Sequence, residues 1–273
     1  MALHSSDAKP LASKQQVPPL KAYWQPGCTS CLRMKEFLVE HGVPFVSANV
    51  IEDPVAREEL RALGVRSVPI IARGRDWANG QVLADVARVA GIKLAAEKIL
   101  SPAELYKRLT AIQCAAQRLF SQLPDDKVHY TLPGRPRSYA DLTFHIFHIA
   151  ELFIAHAVLG RPLVEGDYDR KPPALWAKKA PIIAYGRGVQ TQLHTWWEEN
   201  GKTADFDQPA SVYYGRQTVH QFFERTTWHA GQHVRQLTLV VEKLGLLPDR
   251  PLGDETWQGL PMPASVWEAD VHF

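Results

Sequence analysis

The chain changes character once, at Ser101-Pro102, and this change constrains the fold more than any other feature. Before it, apolar residues come in short β-branched or alternating runs. Residues 20–24, 45–50 and 68–72 read as strands. Between them, 29–41 places Leu32, Met34, Phe37 and Leu38 at near-helical spacing and stops at Gly42. Asp53-Pro54 opens a second helix that ends before Gly64, and 81–89 forms a third. The order β-α-β-α-β-(β)-α predicts a small α/β sandwich. After Ser101 the periodicity is helical throughout, with helices expected at 102–123, 138–159, 181–199 and 216–244. Ser101 with Glu104, and Ser138 with Asp141, have capping-box spacing. Two long Gly/Pro/Asp-rich connections suit a four-helix bundle with crossovers. The expected division is a flexible tail at 1–18, an α/β domain at 19–91, a bundle at 102–245 and an extension at 246–273 packed on the bundle.

Composition excludes several classes. With 45% hydrophobic and 22% charged residues, the chain can bury cores and is not disordered as a whole. No apolar run approaches the ~18–20 residues of a membrane span. The first residues lack the apolar stretch and cleavage pattern of a signal peptide, so a cytoplasmic location and no membrane partner are expected. Lys and Arg number 31 against 29 Asp and Glu, so there is no basic excess to neutralise phosphates and nucleic acid is not an expected partner. Three cysteines cannot scaffold 273 residues.

Two of those cysteines form Cys28-Thr29-Ser30-Cys31, just after a strand and at the start of a helix. Helix N-terminal amides favour an anion, so Cys28 is the expected attacking thiol, and Cys31, one turn on, the resolving one. The alternative, a structural zinc site, needs a second Cys/His pair nearby, which Cys114 alone does not supply. Cys114 itself reads as a small buried packing residue. The segment Tyr23-Trp24-Gln25-Pro26-Gly27-Cys28-Thr29-Ser30-Cys31, with Gly64-Val65-Arg66-Ser67-Val68-Pro69-Ile70, resembles the glutaredoxins over 19–91. The resemblance implies a thioredoxin-like fold, a cis Pro69 facing the cysteines, and a Val68 backbone that receives the cysteine part of a bound thiol. Gln25 stands where many glutathione-using members carry lysine, and Asn79-Gly80-Gln81 replaces their usual turn. Glutathione, mycothiol or another low-molecular-weight thiol is therefore the expected co-substrate.

Eight of the eleven histidines fall between His129 and His233. His229 and His233, one turn apart and rotated by about 40°, lie on one helix face with Phe222, Thr226, Leu237 and Val240. Either they are core histidines bonded to backbone or water, or they are two ligands of one metal. His194 and His220 read as surface or rim residues, and Trp196, Trp197 and Trp228 as core or pocket wall. Arg225 and Arg235 read as a solvated helix face, with carboxylate recognition the alternative. The segments Ser138-Tyr139-Ala140-Asp141-Leu142-Thr143-Phe144-His145-Ile146 and Thr226-Thr227-Trp228-His229-Ala230-Gly231-Gln232-His233-Val234-Arg235-Gln236-Leu237 resemble helices two and four of the DinB/YfiT-like bundles over 102–245. That resemblance implies a divalent metal on His145, His229 and His233, with His148 the alternative to His145. Zinc is the expected ion; nickel, iron(II) and manganese also suit such ligands.

Together the two resemblances imply a metal-dependent thiol transferase or isomerase acting on a small-molecule thiol and an electrophilic or disulfide substrate, with the CxxC pair recycling thiol or product. A glutaredoxin-type disulfide reductase with a docking bundle, and a redox or metal sensor, are the alternatives. A homodimer is compatible with each.

Overall fold

The computed structural model describes residues 17–94, 98–132 and 137–267. The expected tail lies outside these apart from residues 17 and 18, as do the last six residues of the C-terminal extension.

Strand β1 (Leu20–Trp24) leads into helix α1 (Thr29–Glu40), β2 (Val46–Asn49) and α2 (Pro54–Ala62). Then follow β3 (Ile70–Arg73), β4 (Asp76–Asn79) and α3 (Leu83–Ala90). The sheet order is β2-β1-β3-β4, with β1 parallel to β2 and the other pairs antiparallel. Strand side chains alternate between faces. Leu20, Ala22 and Ile71 therefore meet Met34, Leu38 and Val86 of α1 and α3, while Tyr23, Ile70 and Ala72 meet Ala56 and Leu60 of α2. This three-layer arrangement is the thioredoxin-like sandwich.

Helices α4 (Pro102–Gln122), α5 (Tyr139–Leu159), α6 (Lys179–Trp196) and α7 (Val219–Lys243) form the bundle. The end of α6 widens into a π turn over Trp197–Gly201. A short hairpin, β5 (Pro209–Ala210) with β6 (Gln217–Thr218), leads into α7, and α8 (Asp254–Trp257) follows it. Reciprocal capping boxes start α5 (Ser138, Asp141) and α7 (Thr218, Gln221). At α4 only half a box forms: Ser101 Oγ accepts the Glu104 N–H, while the Glu104 carboxylate turns to Arg108 at 2.8 Å. Gly186 of α6 meets the Phe147 ring of α5 so closely that a Cβ there would lie 2.6 Å from it. Helix α5 is the one described helix long and apolar enough to cross a bilayer, and 72% of its most apolar stretch is buried in the bundle. Cys114 corrects the sequence expectation. It lies on the outer side of α4, exposed, with its sulfur 3.2 Å from Gln190 Nε2, because Ile112, Ala115, Ala116 and Leu119 fill the core side.

Helix α7 is covered on both sides. It packs against α4 and α5 within the bundle and against α1 of the sandwich. Arg33 of α1 sits 4.8 Å over the Trp228 ring. The two halves therefore meet along the helix that carries the histidine pair.

Candidate functional site: a CxxC pair and three histidines around one cavity

Cys28 is the N-cap of α1, and its sulfur accepts the Cys31 N–H at 3.2 Å. The two cysteines are joined as a disulfide with Cα atoms 5.2 Å apart. Cys31 is fully buried and Cys28 half-buried, so the residue proposed to attack is the one that is reachable. The Val68–Pro69 bond is cis, as the resemblance implied. Pro69 O accepts the Gly80 N–H at 2.9 Å. A Cβ on Gly80 would lie 2.8 Å from Pro69 Cβ, so glycine is what lets this turn approach the proline.

His145 comes from α5, and His229 and His233 from successive turns of α7. All three are buried. One ring nitrogen from each falls within 4.8 Å of the others. His229 Nε2 and His233 Nε2 are 3.2 Å apart. Two imidazoles on one tetrahedral zinc, at ordinary bond lengths, have nitrogens about 3.3 Å apart, so the spacing suits a shared ion. Gln236 turns its amide N–H to Val266 O (3.4 Å), and its carbonyl oxygen lies 2.8 Å from His233 Nδ1. That acceptor places the His233 proton on Nδ1 and leaves the Nε2 lone pair facing the cluster, the tautomer a metal ligand needs. Arg225 Nη1, a donor only, is 3.4 Å from His229 Nδ1. Metal binding through His229 Nε2 would put that ring's proton on Nδ1, the nitrogen that faces Arg225.

His148 is equally buried but spent elsewhere. Its Nδ1 is bonded to Glu151 Oε2 (2.9 Å) and its Nε2 to Asp167 O (3.0 Å). It holds a 3₁₀ turn, Asp167–Asp169, and so places Tyr168 against the cluster, with ring centroids 5.3 Å from His229 and 6.0 Å from His145. His156 bonds Arg161 O at the far end of α5. His194 is exposed beside Tyr106, and half-buried His220 bonds Leu100 O.

A cavity of about 310 Å³ joins the two groups. Cys28, Val68 and Pro69 line it from the sandwich, and His145, His229 and His233 from the bundle. Gln81, Tyr168, Tyr213 and Arg225 complete the wall. The sequence reading missed Gln81, Tyr168 and Tyr213 as wall residues, and of Arg225 it kept only carboxylate recognition as the alternative to a solvated face. Arg225 is 5% exposed, which corrects the expectation of a solvated face. Its guanidinium donates to Tyr168 OH (2.9 Å) and to Gln81 Oε1, and lies over the Tyr168 and Tyr214 rings. Gln81 in turn donates to Tyr213 OH at 2.8 Å. The stripe Arg225-His229-His233, at steps of four, was the available signal. For Tyr168 and Tyr213, on irregular connections, there was none. Arg235 is half-buried and also partnered. It donates to Pro263 O and Ala264 O at 2.8 and 2.9 Å. Burial pushes the Tyr168 phenol up to about 12, so it keeps its proton at neutral pH.

A redox-type CxxC beside a cis proline on a thioredoxin-like sheet, fused to a four-helix bundle with a three-histidine cluster, defines an architecture of two modules, a thiol-redox sandwich and a histidine-bearing bundle. Comparison with known proteins gives the family. Through residues 20–77 the chain belongs to the glutaredoxin family, and residues 108–237 carry a domain of the DinB superfamily. It is 42% identical over 53 residues to a glutaredoxin-like 8.6 kDa protein in the rubredoxin operon of Clostridium pasteurianum, covering 19% of this chain and 71% of that protein. It is 41% identical over 44 residues to the global transcriptional regulator Spx of Enterococcus faecalis, covering 16% of this chain and 33% of Spx. It is 40% identical over 48 residues to the Bacillus subtilis protein YusI, covering 18% of this chain and 41% of YusI. The chain thus spans less than half the length of Spx and of YusI.

Proposed function

We propose that this protein is a metal-dependent thiol transferase or isomerase that uses a low-molecular-weight thiol, glutathione or mycothiol, and that its CxxC pair handles disulfides of the same thiol. The observation that carries this reading is the shared cavity: Cys28 and the three histidines line one cleft. A divalent ion on His145, His229 and His233, zinc above all, would act there as a Lewis acid that holds a bound thiol as its thiolate. The chain's own residues do the rest. Val68 and Pro69 seat the thiol beside Cys28. The reduced Cys28 thiolate attacks one sulfur of a mixed disulfide, bonds to it, and expels the other half, which takes up a proton. Cys31 then attacks the Cys28 sulfur, releases the second thiol and closes the Cys28–Cys31 disulfide. Two equivalents of free thiol reduce that disulfide and leave as their own disulfide. Tyr168, still protonated, can donate its hydroxyl hydrogen to a substrate atom while accepting from Arg225.

The test is elemental analysis of the purified chain followed by a conjugation screen with glutathione and mycothiol. The expected result is about one divalent ion per chain, and conjugation that is lost in His229→Ala. Absence of stoichiometric metal, or unchanged conjugation in His229→Ala, defeats the proposal. Disulfide exchange that persists with no conjugation would instead favour a glutaredoxin-type reductase with a docking bundle. The similarity to Spx, a global transcriptional regulator, favours a second reading in which this chain is a regulator or sensor rather than an enzyme, and that reading expects little turnover of either kind.

A further inference from the structure

We infer that reduction of the Cys28–Cys31 disulfide turns Cys28 into a fourth ligand of the three-histidine site, so that the chain holds a thiophilic divalent ion more tightly when reduced than when oxidised. The inference rests on the metal reading proposed above.

Three neutral imidazoles leave a tetrahedral ion one ligand short and its charge uncompensated. The cavity makes that charge harder to hold, because buried Arg225 and half-buried Arg137 also line it. An anionic donor is therefore favoured. The carboxylates on the wall, Glu165 and Asp169, are exposed at the rim. Cys28 is half-buried and lines the cavity, whereas Cys31 is fully buried behind it. A thiolate is also the softer donor and suits zinc or cobalt better than a carboxylate does.

In the disulfide neither sulfur is an anion, and the Cys28 sulfur is held toward Cys31. Reduction by two equivalents of a low-molecular-weight thiol breaks the S–S bond, leaves a thiol on each cysteine and yields one external disulfide. Cys28 then loses its proton to solvent on coordinating. Reduction frees the Cys28 side chain to rotate, and one rotation carries a thiol sulfur by roughly 3 Å between staggered positions of the cavity wall it lines. Glu36 of α1 accepts the N–H groups of Ala264 and Ser265 (2.7 and 2.9 Å), and the Ser265 and Val266 carbonyls accept Gln232 of α7 (3.0 Å each), which ties the cysteine helix to the histidine helix.

Cobalt(II) binding to the full chain tests this. The protein is reduced with a phosphine, so that no added thiol competes as ligand. Reduced protein is expected to show a near-ultraviolet sulfur-to-cobalt charge-transfer band that is absent from oxidised protein and from Cys28→Ser but retained in Cys31→Ser. Competition titration is expected to give roughly tenfold or tighter zinc binding on reduction, with no redox difference in Cys28→Ser. Circular dichroism checks that each variant is folded. Cobalt bound to reduced wild type without the band overturns this inference and leaves the three-histidine site standing. Failure of cobalt to bind in either state overturns both.

Discussion

Gln236 shows how one side chain outside the cluster sets its chemistry. Its amide is oriented by Val266 O, and its carbonyl fixes the His233 tautomer. Gln236→Leu keeps the volume and removes the acceptor. It is expected to weaken zinc binding by about 10–100-fold while helix content stays unchanged, as read by competition titration and circular dichroism. At this scale the sequence was largely legible. Cys28, Cys31, Val68, Pro69, His145, His229 and His233 were all named from spacing and resemblance, and all seven belong to one locus. Arg225 was misread because its cover comes from Gln81, 144 positions away in the chain, and from Tyr168 on an irregular connection. Periodicity reports which way a residue faces on its own helix, not what a remote element lays over it.

Helix α5 shows the same limit at the scale of elements. Its start follows from Ser138 and Asp141, and its end from Gly160 in the left-handed conformation. Both are local chemistry, and both were readable. Which of its two buried histidines faces the cavity rested on resemblance alone, which named His145 and kept His148 as the alternative. The answer lies in Glu151, one turn beyond His148, which accepts from His148, Tyr185 (2.8 Å) and Arg170 (3.3 Å). The hydrogen bond from His148 is the main cause that holds the Glu151 carboxyl below the ordinary carboxylate range; burial opposes it, and Tyr185 and Arg170 assist. A carboxyl depressed in the folded state stabilises above its unfolded value and loses that contribution as pH falls through the folded one. Glu151→Gln is therefore expected to cost about 2 kcal/mol at neutral pH. The deficit against wild type should shrink as pH falls below the ordinary carboxylate range, where wild type also becomes protonated. Denaturant midpoints measured across pH check both the size and the sign.

In the whole molecule, the decisive contact is a polar one between the halves. Gln81 of the sandwich is 8% exposed and bonds both Arg225 and Tyr213 of the bundle half. Removing it strands a buried guanidinium short of an acceptor. Gln81→Ala is expected to cost about 1–3 kcal/mol. Because that loss falls on the contact between the halves, calorimetry should show the sandwich melting ahead of the bundle, where wild type melts more nearly as one unit. Coincident melting in the variant would show that α1 on α7 and the Glu36 strap suffice for coupling.

The sequence by itself determined the two fold classes, the limits of most elements and which cysteines and histidines are the candidates for chemistry in each half. Hydrophobic period, capping residues and metal- or thiol-type spacing are local quantities, written within a few turns of chain. Only the tertiary structure decided that Cys28 and the three histidines line one cavity. The sandwich and bundle each close their own core, so nothing in either pattern specifies their relative placement. That placement comes from a few long-range contacts: Gln81 with Arg225, Arg33 over Trp228, and Glu36 with the C-terminal segment. Their partners lie more than a hundred residues apart, and no periodicity links them.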